Sequence, residues 1–380
     1  MNAVPPLRAA MPAAAPSWPA GLHDLRPQSG RRSDVSLPAR VASRLLRHTR
    51  VMAGKASGLA RTLQADLREL GQAEARILRQ AAGAMPSNGR AICLYAHFSP
   101  AGRVTDMVLR QLEEYTLLGF DVVFVSASPR LQEEDWQAVL DRCAVAIHRR
   151  NYALDFGSWC DAARTLRHEI AGAEELLLAN DSVLGPIRPL DPVFATLRSG
   201  GDGLFGLTES MQHIVHLQSY LLLARGRAAV GDLLDFLLGM RLSARKSAII
   251  RRGELAVSGH MARRGHRVAA LYGYAELEAA ILADPAESRR LMGLRPFAWA
   301  IGLPPAERDA RLQRALLAVP MNPTHDFWAP LIRRMGFPFI KTELVTKNPA
   351  AVPDAPDWES LVGPDAPCPA PLIAQHLALR

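Results

Sequence analysis

The stretch that decides the fold is Ala144–Pro189, AVAIHRRNYALDFGSWCDAARTLRHEIAGAEELLLANDSVLGPIRP. Two short apolar runs, Ala144–His148 and Glu175–Ala179, bracket a segment in which Phe156, Trp159, Ala163, Leu166 and Ile170 recur at spacings of three and four. That periodicity puts one apolar face on a helix, so the stretch reads as strand, turn, helix, strand and loop. Each strand ends in polar residues that burial would not select: Arg149-Arg150-Asn151 after the first, Asn180-Asp181-Ser182 after the second. In open α/β sheets ligands sit at the carboxyl ends of strands, so chemistry is expected at these two clusters. Neither is a Gly-rich phosphate loop, which argues against an ordinary dinucleotide-binding unit.

Upstream, Ala91–Phe98 (AICLYAHF) and Asp121–Ser126 (DVVFVS) are further strand candidates, with Val104, Val108, Leu112 and Tyr115 forming a helical face between them. The resulting β-α-β-α-β-α-β order is that of a mostly parallel sheet with right-handed crossovers, flanked by helices. Downstream, Gly203–Thr208 and His216–Ala224 are separated only by Glu209–Val215, too little for a crossover helix, so part of the sheet is expected to turn antiparallel. On a period of two, His216, Gln218 and Tyr220 share one face of the second of these runs, which suggests a lined cleft; a core histidine satisfied by a neighbour is the default for His216 alone. Beyond Gly226 the pattern is helical, over Val230–Met240, Ala248–Arg264 and Pro305–Leu317. A folded domain is therefore expected over 89–349, with one half at 89–226 and a second, mainly helical half at 227–349.

The net charge of +8 is local: residues 1–90 hold 14 Lys/Arg against 5 Asp/Glu, which leaves the remainder close to neutral. Residues 1–40 are rich in Pro and Ala without periodicity and read as a disordered tail. Residues 41–88 read as a basic helical arm with a ragged apolar stripe (Leu45, Val51, Leu59, Leu63, Leu67, Leu70, Ile77). Such an arm either lies on anionic lipid as a peripheral contact or packs on the domain as a solvated helix, the second being favoured because Gly54 and Gly58 interrupt the stripe. Residues 350–380 are Pro-rich and read as a loose tail. Cys93, Cys143, Cys160 and Cys368 show no paired spacing, which fits apolar filling in a reducing compartment and not a zinc site. No run approaches a membrane span, so a cytoplasmic chain is expected.

The polar clusters each admit two readings. Guanidinium groups at Arg149 and Arg150, with Asn151, suit a pyrophosphate facing a helix start, or are a solvated basic turn. Asp155 is either a helix cap or a ligand of a sugar hydroxyl or an arginine brace. Asp181 is placed for a divalent cation bridging a nucleotide diphosphate, whereas Asn180-Asp181-Ser182 also suits an Asx-type turn. Glu254 opens a helix and is either a general base or an N-terminal dipole partner.

Taken together, in order, these pieces resemble the rhamnan synthesis F family of bacterial polysaccharide glycosyltransferases. The matching pieces are His97-Phe98, Val122–Ser128, Arg149 to Trp159, Asn180-Asp181-Ser182-x-x-Gly185-Pro186, Gly206-Leu207-Thr208 and His216-Leu217-Gln218-Ser219-Tyr220. They continue with Glu254 and Ser258, Asn322-Pro323-Thr324 with Trp328, and Gly336-x-Pro338-Phe339-x-Lys341 closing on Asn348-Pro349, so the resemblance covers about residues 90–350. It implies a GT-A-like, Rossmann-type α/β fold and a nucleotide-sugar glycosyltransferase, usually a rhamnosyltransferase extending a lipid-linked glycan. The donor would then be dTDP-rhamnose, held by Arg149, Arg150, Asn151, Asp155, Asn180 and Asp181, with His216 and Gln218 on sugar or acceptor. Inversion asks for one carboxylate base, for which Glu254 is the first candidate and Glu209 the reserve. Asp181 stands where many GT-A enzymes place a metal-binding Asp-x-Asp; Asn-Asp-Ser here leaves Mg²⁺ or Mn²⁺ dependence open. Ala153 stands where the family pattern usually has Gly.

Three classes follow: an inverting sugar transferase at the inner membrane face, a non-catalytic sugar-nucleotide or glycan-binding scaffold on a degenerate transferase fold, and a nucleic-acid binder. The last rests only on the N-terminal charge, and the near-neutral domain argues against it.

Overall fold

The computed structural model describes residues 21–25, 62, 64–67, 74–318 and 320–380. Its strands are β1 (His23–Asp24), β2 (Ile77–Ala82), β3 (Ala91–His97), β4 (Asp121–Ser126), β5 (Val145–Arg149), β6 (Glu175–Asn180), β7 (Val183–Leu184), β8 (Gly203–Ser210), β9 (His216–Leu217), β10 (Leu221–Arg225), β11 (Arg267–Tyr272) and β12 (Ile340–Lys341). Ten of them form one sheet in the order β1-β11-β8-β10-β6-β3-β4-β5-β2, with β9 on β8; β7 and β12 form a separate pair. Strands β5, β4, β3 and β6 are parallel neighbours, and β8 and β11 run the same way. Strand β10 lies antiparallel between β6 and β8.

The helices are α1 (Asp106–Leu117), α2 (Glu133–Leu140), α3 (Leu154–Thr165), α4 (Arg167–Gly172), α5 (Asp191–Ser199), α6 (Arg227–Gly239), α7 (Lys246–Arg252) and α8 (Glu254–Arg263). They continue with α9 (Tyr274–Ala283), α10 (Pro285–Gly293), α11 (Pro305–Ala318), α12 (Trp328–Met335), α13 (Thr342–Thr346) and α14 (Ala370–Ala378). Alternation along the strands splits the core in two, because successive side chains leave opposite faces of a sheet. Cys93, Tyr95, Leu177 and Leu223 pack with α1, α5 and α12 on one face. Leu94, Leu176, Leu178 and Leu222 pack with α3, α6 and α8 on the other. Both faces are covered, which is why β6 reads as a continuous apolar run and every residue in it is buried.

The mostly parallel α/β class expected from sequence is therefore the observed one, but several boundaries differ. The helical arm expected over 41–88 ends before Ile77: Ile77–Ala82 is an edge strand antiparallel to β5. The part of that arm within the described residues is tied down by Asp66, which accepts hydrogen bonds from Tyr152, Ser243 and the Ala244 amide. The tail expected over 1–40 contributes β1, paired with β11, and its other residues, apart from 21–25, lie outside the described residues. The tail expected loose over 350–380 carries α14 and packs Ile373 and Cys368 into the core. The run His216–Ala224 is two strands with a bend at Gln218–Tyr220, so His216, Gln218 and Tyr220 do not share a strand face. Among the described residues no helix is long and apolar enough to cross a membrane.

Candidate active site

The carboxyl ends of β3 and β6 lie side by side, because these strands are parallel and in register from Ala91↔Glu175 to Ala96↔Asn180. Asn180, the last residue of β6, turns its side-chain oxygen back to the Ser182 amide at 3.1 Å and to the Ser182 hydroxyl at 2.5 Å, forming an Asx turn. Its amide group then points the other way and donates to Asp155 Oδ2 at 2.8 Å. Asp155 therefore does not cap α3: the cap position is Ala153, and no side chain accepts there. Burial pushes the Asp155 carboxyl up to about 6, Asp181 and Glu254 adding to the rise while Lys341 and Arg380 oppose it. Those causes place five charged side chains in one cluster.

Asp181 is buried and accepts the Phe98 amide at 3.0 Å through Oδ2. The same oxygen meets Arg380 Nη2 at 2.6 Å, and Arg380 Nη2 also donates to the Asp181 carbonyl at 2.9 Å. His97 Nε2 is 3.9 Å away, but burial holds that imidazole down to about 4, so it is neutral near pH 7. Lys341 reaches the cluster through the β7–β12 pair, where it stands opposite Val183, and donates to Ser182 Oγ at 2.9 Å. Its ammonium also lies 4.8 Å from the Tyr220 ring centre.

On the other side, Glu254 opens α8 and reaches back to the bend after β9. Ser219 donates to Glu254 Oε2 at 2.5 Å, and His216 Nε2 lies 3.4 Å from Oε1. Burial works to raise this carboxyl, but the bonds from His216 and Ser219, helped by Lys341, outweigh it and hold the group below the usual carboxylate range. His216 Nδ1 is 2.8 Å from the Ile214 carbonyl, an acceptor, so Nδ1 carries a proton.

The structure thus brings together Asp155, Asn180, Asp181, His216 and Glu254, five of the residues singled out from sequence. It does not bring the others to them. Arg149 is fully buried and turned inward: Nε donates to Asp161 at 2.9 Å, and Nη2 to the Tyr152 carbonyl at 3.0 Å. Asp161 also binds Arg76 through both oxygens, at 2.7 and 2.8 Å, and Arg164 at 3.0 Å. The guanidinium expected on a pyrophosphate is a brace of the turn before α3. Arg150 is half-buried and Asn151 exposed on the same turn. Gln218 is held in a buried chain, accepting from Thr208 Oγ1 at 2.7 Å, while Tyr220 and Thr208 hydroxyls are 2.7 Å apart. Glu209 accepts the Tyr274 amide at 3.0 Å, a structural bond at the start of α9. Lys341, Arg380 and Ser219 join the site without being evident from sequence: Lys341 and Ser219 lie inside the Gly336–Lys341 and His216–Tyr220 motifs, whereas nothing local marks Arg380.

The donor set at Asp181 does not suit a divalent ion as it stands. One carboxylate oxygen is shared by a guanidinium and an amide, and the Asn180 oxygen is turned to Ser182. Among the described residues no group of three or more His, Cys, Asp or Glu side chains is placed to hold a metal. A surface cavity of about 460 Å³ opens at the opposite, amino end of the parallel strands, lined by Arg90, Glu174, Glu175, Arg198 and Arg225. Its charges are already matched, Arg198 and Arg225 on Glu175 and Arg90 on Glu174, and the cluster around Asp155 and Asp181 is not part of it.

Comparison with known proteins agrees with the resemblance in the motifs. The model of the family described as rhamnan synthesis protein F matches residues 122–282. Virulence protein VirA of Vibrio anguillarum is 29% identical over 218 residues, 56% of this chain and 66% of its own length, so the match leaves a third of that relative unspanned. Protein y4gN of Sinorhizobium fredii is 26% identical over 181 residues, 46% of either chain. Among solved structures, a Desulfovibrio desulfuricans protein assigned as a nucleotide-diphospho-sugar transferase aligns over 60% of this chain and 98% of its own, at 14% identity and a TM-score of 0.31. A Leptospira borgpetersenii cytidylyltransferase aligns over 49% and 75% at 11% identity and a TM-score of 0.28. Likeness at that level carries no weight here, and the architecture rests on the strand order given above. The stretch that holds Asp155, Asn180, Asp181, His216 and Glu254 is thus similar to the rhamnan synthesis protein F family over residues 122–282.

Proposed function

We propose that this protein is a glycosyltransferase that moves a sugar from a nucleoside-diphosphate donor onto a hydroxyl of a growing glycan with inversion. The observation that carries this reading is the meeting of Asp155 and Asn180–Ser182 with the His216–Ser219–Glu254 group in one charged cluster at the carboxyl ends of parallel strands. In the transfer, the acceptor oxygen forms a bond to the anomeric carbon while the bond from that carbon to the phosphate oxygen breaks. The electron pair leaves with the diphosphate, and the acceptor proton passes to the Glu254 carboxylate. A depressed carboxylate held by His216 and Ser219 is ionised at neutral pH and fixed in orientation, both of which a base needs. Asp155, bonded to Asn180, is suited to a donor sugar or ribose hydroxyl. The family supports L-rhamnose from dTDP-rhamnose as donor and a lipid-linked glycan as acceptor, with the chain working at the inner membrane face.

The test is donor binding followed by turnover. Full-length chain is mixed with dTDP, UDP or GDP, with EDTA or with Mg²⁺ or Mn²⁺, and the thermal midpoint followed, since a ligand of the native state alone raises it. Stabilisation by one nucleotide, lost in Asp155→Ala, with sugar transfer from the matching donor, supports the reading. Stabilisation without transfer to any glycan acceptor makes the protein a binding scaffold, and no shift with any nucleotide removes the transferase reading.

A further inference from the structure

Two cations reach the Asn180–Ser182 turn from parts of the chain outside residues 122–282. Lys341 arrives on β12 and uses one N–H on Ser182 Oγ at 2.9 Å; an ammonium has three, so two are without a protein acceptor among the described residues. Arg380 follows α14 and is held in place from two sides. Its Nε donates to His376 Nε2 at 3.0 Å, and Nη2 is fixed on Asp181. His376 Nδ1 is in turn 2.7 Å from the Thr105 hydroxyl, just before α1. With Nε2 accepting from Arg380, His376 is neutral, in keeping with burial and the Arg380 charge holding it down to about 4. Arg380 Nη1 has no partner among the described residues. This is an oriented guanidinium with a free edge beside an oriented ammonium with free donors.

We infer that Lys341 and Arg380 form the receptor for the diphosphate of the donor, with the Arg380 guanidinium standing where a bridging divalent ion would stand and Asp181 acting as its brace. The inference rests on the transferase reading for the identity of the ligand. A planar fork of donors matches phosphate oxygens bidentately, and Lys341 adds a point charge at Ser182. A diphosphate leaving group develops charge as the anomeric bond breaks, and fixed cations stabilise it without reorganising. The cluster holds the carboxylates of Asp155, Asp181 and Glu254, but each has a counter-group: Asp181 is paired with Arg380, Glu254 with His216, and the raised Asp155 is ready to take up a proton when an anion enters. Asp181 therefore serves as a positioning residue and not as a metal ligand.

The experiment is titration calorimetry of the full chain in EDTA with dTDP, UDP, GDP and inorganic pyrophosphate, on wild type, Lys341→Met and Arg380→Gln. One nucleoside diphosphate and pyrophosphate are expected to bind without metal, each about tenfold or more weaker in either variant, as loss of a charge-assisted hydrogen bond implies. The matching nucleoside is expected to be little affected. Lys341→Arg and Arg380→Lys, which keep the charge, should recover part of the affinity, so a loss due only to altered packing is told apart. If the nucleotide binds and the variants match wild type, or if binding needs Mg²⁺ or Mn²⁺ and is indifferent to Arg380, the inference fails and the transferase reading stands. If pyrophosphate binds and is lost in the variants while no nucleotide binds, the anion site stands and the transferase reading fails. Binding of neither removes both.

Discussion

Glu254 Oε1 lies 3.4 Å from His216 Nε2, and because His216 Nδ1 is committed to the Ile214 carbonyl, the imidazole can donate to the carboxylate only as the cation. The pair therefore sets the proton affinity of the proposed base. Glu254→Gln is expected to lower transfer by about 10²–10⁴-fold with donor binding retained. His216→Gln removes a contact that helps hold the Glu254 carboxyl below its usual range, so the acidic limb of the pH–kcat/KM profile should move to higher pH. An unmoved limb would assign His216 to packing alone.

Asp155 carries the opposite perturbation. Its carboxyl sits at about 6 in the folded chain against 3.8 ordinarily. Between those values the native state keeps a proton that the unfolded chain has lost, so the stability due to the protonated group is fully present below about 4, falls as pH rises, and is gone above about 6. Asp155→Asn does not titrate. Its unfolding free energy relative to wild type should therefore rise between pH 4 and 7 by about 1–2 kcal/mol, allowing for solvent screening at a part-exposed position. Denaturant unfolding at both pH values measures it, and a flat difference means the carboxyl is not raised.

Asp161 holds Arg76, Arg149 and Arg164, with both Arg76 and Arg149 buried. Removing the shared carboxylate takes the buried counter-charge away from Arg76 and Arg149, so Asp161→Ala is expected to cost about 3–5 kcal/mol in denaturant unfolding. A donor affinity that survives in the folded fraction would separate this brace from the site, whereas a stability change under about 1 kcal/mol would show the network to be dispensable.

Ala153 and Leu154 are both left-handed, with φ of 66° and 56°. A Cβ costs about 1–2 kcal/mol there, and glycine returns part of the gain through unfolded-state entropy. Ala153→Gly should raise stability by about 0.5–1 kcal/mol. The neighbourhood leaves little alternative to this turn, since a Cβ at Gly157 would come within 1.9 Å of the Tyr152 carbonyl oxygen. The family's usual Gly at position 153 thus has a conformational reason, and a destabilised Ala153→Gly variant would remove it.

What could be read from the chain were the features set by neighbours a few residues away. The periodicity of Phe156–Ile170, the apolar run Glu175–Ala179 and the polar ends at Arg149–Asn151 and Asn180–Ser182 are local, and they determined a mostly parallel sheet with polar clusters at the carboxyl ends of its strands. The local pattern also marked Asp155, Asp181, His216 and Glu254, because polar groups at strand ends and helix starts stand out against an apolar background. It could not say which way an arginine points. Arg149 turns inward because Arg76, on a segment that reads as helix, arrives beside β5 and shares Asp161 with it across 85 positions. Ile77–Ala82 became a strand for the same reason: an open edge of β5 offered hydrogen bonds that outweigh helix propensity. Lys341 and Arg380 joined the cluster only through the β7–β12 pairing and the packing of α14. Sequence alone determined the parallel centre of the sheet and the polar clusters at its strand ends; the tertiary structure decided which edge strands join it and which charges meet there, because burial and pairing depend on partners that periodicity cannot see.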